Sequence, residues 1–517
     1  MEQHDFSHRI RMTSLGFVSL LVCGWVQDPS PTQVQAATDT KHYVVVTIDN
    51  TKEHQIMDGF GATHLSLVYQ GKGDVLTANL RARAIDAVYH QVGISMGNLE
   101  GALLEGRGGY AGRANDDTDP FHFNWDAFQT FMADAIKANV VDLARPLGFD
   151  NYFPGQKINV RWASPWLAKL RRADYDAYLD EAAEQVAAGA IYWRRAYGAA
   201  PQYLMLFNEP LSGNRELLNG TARDVVDLVK RTGARLRREG FPGITFVLPN
   251  EETEEKSLDT ARAVLADPGA GQYVGAIGYH TYPYGSVYAS IPRILGTSGS
   301  GKPDSGRIVI RKRLRELAHE HRIPIWMTEV SHGNVDPRSF DDLRGRAIHI
   351  HDELVYADAA AYFGMNNMWD AVSHRLHFGG RNPNLFSEEG SIALIENEVG
   401  SVQITGMGYA IGHYARWVQR GATRIEARSS DPLVLVTAFR AADRRRLILV
   451  MINNAPGARQ VDVALTGGRL GGDLSGELSD AGSYWRALKP IALLEPRVFT
   501  LTVPAMSVVT VVGALLT

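Results

Sequence analysis

Eight short apolar runs, each followed by a segment of different period, constrain this 517-residue chain more than any other feature. They are Ile56–Leu67, Val92–Leu99, Ile158–Ala163, Tyr203–Phe207, Ile244–Leu248, Val274–Tyr279, Ile323–Thr328 and Tyr362–Trp369. Apolar runs of this length read as buried strands. Between them lie Ala177–Ala196, Ala222–Arg238, Ile310–His321 and Leu343–Tyr362, which carry helical spacing. In Ala222–Arg238 the apolar positions Val225, Val226, Leu228, Val229 and Leu236 form one face. Eight strand–helix alternations predict an α/β fold, a (β/α)8 TIM barrel, over residues 50–415.

The pattern changes at about Arg416. Short β-rich runs follow at Leu433–Phe439, Leu447–Ile452, Val461–Leu465, Val498–Val503 and Ser507–Val512, separated by turn residues such as Asn453-Asn454 and Gly467-Gly468. Residues 416–517 therefore predict a C-terminal β-sandwich side domain, joined by a further strand at 42–49.

The N-terminal segment reads differently from both. His8, Arg9 and Arg11 precede an apolar run from Leu15 to Val26, and small residues flank a cut after Ala36. This matches a secretory signal peptide over residues 1–36 and predicts a secreted, extracellular or periplasmic protein. The run is too short for a permanent span, so no integral membrane segment is expected. The single cysteine, Cys23, lies inside it, which excludes an intrachain disulfide and a CxxC site. Against 57 Asp and Glu stand 53 Lys and Arg, for a formal charge of −4. That balance leaves no electrostatic footprint for nucleic acid.

In a barrel of this kind the chemistry sits at the carboxyl ends of the strands. The fourth run ends Phe207-Asn208-Glu209-Pro210, and the seventh ends Met327-Thr328-Glu329-Val330. Each places one carboxylate at the top of the barrel. Two converging carboxylates are what glycosidic bond cleavage requires, one giving a proton to the leaving oxygen and the other attacking the anomeric carbon or activating water. His349-Ile350-His351 and His319-Glu320-His321 have an i, i+2 spacing that points helical side chains apart, so neither predicts a metal site. No cofactor motif is present either, since Gly106-Arg107-Gly108-Gly109 lacks the phosphate-loop context.

These residues resemble glycoside hydrolase family 30, within the clan A retaining enzymes. Asn208-Glu209-Pro210 and Thr328-Glu329 are similar to its acid/base and nucleophile motifs, and Asp58-Gly59-Phe60-Gly61 to its first-strand motif. Trp162-Ala163-Ser164-Pro165 and Gly278-Tyr279-His280-Thr281-Tyr282 resemble its third and sixth strands, and Tyr409–Ile425 and Pro504–Thr510 its tail. The resemblance implies that Glu329 is the nucleophile and Glu209 the general acid and base. It implies that Asn208 donates to a sugar hydroxyl, that His280 and Tyr282 lie near Glu329 and orient it, and that Trp162 and Trp369 stack on sugar rings. The implied partner is a β-linked carbohydrate, cleaved with retention. The second run, Ile94–Glu100, lacks the arginine the family places there, and Ala62-Thr63-His64 departs from its small-residue pattern. A non-catalytic carbohydrate-binding barrel and another clan A retaining family remain as alternatives. Sugar, linkage, oligomeric state and the choice of exo or endo action stay open.

Overall fold

The computed structural model describes residues 42–64, 77–99, 119, 121–123, 125, 152–154, 165–198, 200–212, 217, 220–282, 305–331, 336–370, 390–396 and 399–516. The signal-peptide segment and the apolar run Ile158–Ala163 lie outside them.

Eight strands run parallel in one path. In chain order they are Gly59–His64, Met96–Leu99, Tyr152–Pro154, Tyr203–Met205, Thr245–Glu251, Val274–His280, Ile325–Glu329 and Ala359–Asp370. All chain neighbours except the third and fourth pair in parallel, and the first pairs with the eighth. The third and fourth strands, at the two ends of the path, contact each other. The order is that of a (β/α)8 barrel. Its third position is taken by Tyr152–Pro154, ahead of the run read as a strand in the sequence.

Local chemistry explains the elements. Helix Ala222–Arg238 buries Val225, Leu228, Val229 and Leu236, and opens with a reciprocal Thr221–Asp224 capping box that satisfies two of its free N–H groups. Helix Tyr175–Tyr197 ends at Gly198, whose left-handed backbone (φ 72) is the usual helix stop. The helix read as Leu343–Tyr362 ends at Tyr356 instead. Asp358 takes a left-handed backbone (φ 54) and turns the chain into the eighth strand at Ala359. In the first strand a Cβ on Gly61 would collide with the Met96 carbonyl, so that glycine allows the first two strands to approach.

Two apolar regions build the barrel. One lies between the strands and the surrounding helices. The other is inside and small, formed by Met96, Met205, Val247, Ala276, Trp326, Ala360, Ala361 and Phe363. Strand alternation feeds both, because successive side chains point to opposite faces.

The side domain is one ten-stranded sheet rolled on itself. An isolated bridge joins Leu474, in the strand beside one end of the path, to Ile491, just ahead of the strand at the other end. The enclosed core includes Val44, Val46, Ile48, Leu449, Val463 and Leu501. Strand His42–Ile56 lies inside this sheet, antiparallel to Thr423–Ser429 and parallel to Arg459–Thr466. Strands at Thr423–Ser429, Arg469–Asp480, Ser483–Ala487 and Leu493–Glu495 were not apparent as apolar runs. The domain seats on helix Gly406–Ala415. There the buried His413 contacts the Thr510 and Ser479 hydroxyls (2.9 and 2.8 Å), and Arg416 pairs with Glu477 (2.7 Å). Burial pushes the His413 imidazole down to about 3, so it sits neutral in the interface. Among the described residues no helix is long and apolar enough to cross a membrane.

Candidate active site

The fourth, sixth and seventh strands bring four of the residues singled out in the sequence into one buried cluster. Glu209 follows the fourth strand, His280 closes the sixth, Tyr282 follows it, and Glu329 closes the seventh. All four are at least nine-tenths buried. One carboxylate oxygen of Glu209, one of Glu329 and a ring nitrogen of His280 all lie within 4.8 Å of one another.

The hydrogen bonds assign partners. His280 Nδ1 lies 3.2 Å from Glu209 Oε1 and 3.8 Å from Glu329 Oε1. It is thus nearer to Glu209, whereas the resemblance implied Glu329. The Tyr282 hydroxyl donates to Glu329 Oε1 at 3.2 Å, and its ring stands edge-on to His280. Burial, followed by the two carboxylates, pushes the Tyr282 phenol well above its ordinary range, so it is a neutral donor. Strand alternation explains why His280 faces the cleft. Its neighbour Tyr279 turns outward and bonds Glu353 on helix Phe340–Tyr356.

Outside the cleft Glu353 is held by Arg311 (2.5 Å) and by His349 (2.9 Å), and His349 also meets the Tyr362 hydroxyl (2.9 Å). Arg311 and its neighbours hold the Glu353 carboxyl down at about 2 in spite of its burial. His349 therefore belongs to a structural network. No other group of His, Cys, Asp and Glu ligand atoms is gathered at metal-binding spacing among the described residues, and in the cleft the three are engaged with one another.

The remaining expectations divide. Asn208 is buried beside Glu209. Trp369 is 94% buried, with 6% of its surface exposed, in the eighth strand. Trp162 lies outside the described residues. The second strand, which lacks the arginine of the family, carries the buried Asn98, whose Nδ2 lies 2.8 Å from the Met205 sulfur. Asp58 accepts from the Trp326 indole at 2.8 Å, a structural tie at the start of the first strand.

Sequence reasoning missed two residues, Asn250 and Glu251, which close the fifth strand. Glu251 is fully buried, and burial pushes its carboxyl up to about 7, with the Glu209 charge adding to the rise. The strand-end rule that picked out Glu209 and Glu329 applies equally to Glu251. The acidic run Glu251-Glu252-Thr253-Glu254-Glu255 resembles an ordinary helix start, and that masked it.

A parallel eight-stranded barrel with two buried carboxylates at the ends of its fourth and seventh strands defines a class, the barrel hydrolases of the two-carboxylate type. No family model matches the chain. It is 23% identical over 452 residues, 85% of each chain, to the glucuronoxylanase XynC of Bacillus subtilis. In fold it is similar to the glycoside hydrolase family 30 endoxylanase from Clostridium papyrosolvens C71, with a TM-score of 0.61, 17% identity, and 91% of this chain and 100% of that one covered. The endo-β1,6-glucanase BT3312 gives a TM-score of 0.59 at 17% identity over 91% and 93% of the two chains. In fold, and at low identity in sequence, the chain is thus similar to enzymes of glycoside hydrolase family 30.

Proposed function

We propose that the protein is a glycosidase that hydrolyses a β-linked carbohydrate with retention, through a covalent glycosyl–Glu329 intermediate. The observation that carries this reading is the pair of buried carboxylates on opposite strands, with one oxygen of each within 4.8 Å of the other. Retaining enzymes hold their carboxyl groups about 5–5.5 Å apart, whereas inverting enzymes leave room for a water at about 6.5–9.5 Å. In this mechanism Glu209, protonated, gives its proton to the leaving oxygen as Glu329 attacks the anomeric carbon. Glu209 then takes a proton from the water that releases the sugar. His280 holds Glu209 in place, and Tyr282 stabilises the ionised Glu329 by donating to it. Asn208, Trp162 and Trp369 contact the sugar.

The relatives' names span xylan and β-1,6-glucan, so both polymers belong in the substrate panel. We assign the barrel to residues 50–415 and the side domain to 416–517 with strand 42–49. Residues 1–36 act as an export signal, which places the enzyme outside the cytoplasm.

The test is a panel of mechanism-based fluorosugars in gluco, xylo, galacto and fuco configuration, read by intact mass and peptide mapping. A covalent adduct on Glu329 supports the reading. No adduct, together with no turnover of any panel member, refutes it in favour of a carbohydrate-binding barrel. Glu209→Ala should still form the adduct from an activated aryl glycoside and be rescued by azide.

A further inference from the structure

The fifth strand ends in a clasp around the fourth-strand turn. Glu209 N–H donates to the Asn250 carbonyl (2.8 Å), Leu211 N–H donates to Glu251 Oε1 (3.2 Å), the Ser212 hydroxyl donates to Glu251 Oε2 (2.5 Å), and Glu252 N–H donates to Ser212 Oγ (3.1 Å). Glu209 and Asn250 inside the clasp each have a left-handed backbone, at φ 51 and φ 55; asparagine takes it readily, whereas glutamate adopts it only when its surroundings impose it, so the strain lies at Glu209. Two of the four hydrogen bonds pass through one side chain, the fully buried Glu251.

We propose that Glu251 is a positioning residue for Glu209: its carboxyl holds the Glu209–Ser212 turn in its strained form and stands in electrostatic contact with the Glu209 side chain. The proposal rests on the reading of Glu209 as the acid and base. Among the described residues, Glu209 and His280 are the charged or titratable groups that act on Glu251. The other neighbours are committed elsewhere. Tyr279, its partner across the strand pair, turns out to Glu353, Glu254 on the following helix is taken by Arg307 and Arg311, and Glu252 pairs with Lys256. Among the described residues Glu251 is thus electrically coupled to the active site, where the Glu209 charge adds to the rise that burial gives its own carboxyl.

Three variants and one spectroscopic measurement test this. Glu251→Gln keeps the shape and an acceptor but removes the charge. Its amide still accepts from Leu211 N–H and meets the Ser212 hydroxyl, so its loss on poor leaving groups should be about tenfold smaller than that of Glu251→Ala. Glu251→Ala opens the clasp. It should lose about 30-fold or more on glycosides with poor leaving groups, which need the acid, and only a few-fold on dinitrophenyl glycosides, which do not. A loss equal for both leaving groups marks plain structural damage and overturns the proposal, as does a Glu251→Gln variant as impaired as Glu251→Ala. Infrared difference titration supplies a readout that needs no turnover. The wild type should lose a buried carboxyl band near about pH 7, Glu251→Gln should lack that band, and Glu209→Gln should move it to lower pH. If Glu209→Gln leaves the band in place, the coupling is absent and the proposal falls. A wild type that cleaves no glycoside refutes the hydrolase reading instead, and the infrared result then decides the Glu251–Glu209 coupling alone.

Discussion

Replacing Asn250 by aspartate exchanges one amino group for an oxygen and should turn a silent position into a pH-dependent fault. Asn250 is fully buried. Its Nδ2 donates to the carbonyls of Val247 (2.9 Å) and Phe207 (3.4 Å), and its Oδ1 accepts from the Thr328 hydroxyl (2.8 Å). Aspartate has the same shape, tolerates the left-handed backbone, and still accepts from Thr328. Its second oxygen, however, faces two carbonyls that require a donor. A protonated carboxyl supplies one and an ionised carboxyl does not, so the folded state raises this acid's pKa. A raised folded pKa means that stability is retained at low pH and lost as pH rises. The unfolded chain releases the proton from about pH 4, and each further unit that the folded state retains it costs about 1.4 kcal/mol. At pH 7 the variant should be about 4 kcal/mol less stable than wild type, falling to about 1 kcal/mol or less near pH 4. Urea unfolding of both proteins at about pH 4.5 and about pH 7 measures the difference directly. A penalty that is the same at both pH values would refute the claim that the amide donor is what the position requires.

Tyr282→Phe removes the hydroxyl donated to Glu329. A hydrogen bond to a charged acceptor contributes about 1.5–3 kcal/mol, so kcat/KM should fall about 10- to 100-fold with the unfolding midpoint little changed. Steady-state kinetics showing less than about a threefold loss would rule that contact out as a contributor. Glu251→Gln should become more stable than wild type as pH rises. The difference starts near zero at about pH 4.5 and reaches about 3 kcal/mol above pH 7, because the wild-type carboxyl must lose its proton in a buried site. Thermal melts across that range check it. Glu353→Gln removes the nearer of the two carboxylates paired with buried Arg311, leaving Glu254 at 3.4 Å, and should cost up to about 3–5 kcal/mol, measurable by urea unfolding; an unchanged midpoint would mean that the network around Tyr279 does not brace the sixth strand.

The barrel was legible because its strands are short, apolar and regularly spaced, and because helix faces such as Val225–Leu236 repeat at the helical period. Glu209 and Glu329 were legible by one rule, a carboxylate at the end of a barrel strand. Their approach to within 4.8 Å was not, since it depends on the closure of the sheet. The closer partnership of His280 with Glu209 was equally hidden, because the two sit on non-adjacent strands and meet only across the barrel interior. Strand Arg469–Asp480 escaped notice because Gly471, Gly472 and Gly476 break its alternation, and its pairing with Ser507–Leu516 holds it extended where local propensity does not. The turn at Asp358 was hidden because apolar residues continue from the helix into the eighth strand without a glycine or proline to mark the boundary.

The position of strand His42–Ile56 sets an order of assembly. Its parallel partner, Arg459–Thr466, is made about 400 residues later, and at about 5–20 residues per second the ribosome needs roughly 20–80 seconds to reach it. Until Thr423–Ser429 is made, late in that interval, the apolar face of Val44, Val46 and Ile48 has no sheet to join, while all eight barrel strands emerge. The earliest strand is therefore among the last to be satisfied, and a chain cut short anywhere in the barrel leaves it bare. The small domain acts as a closing seam, and only a fully translated chain can draw it shut.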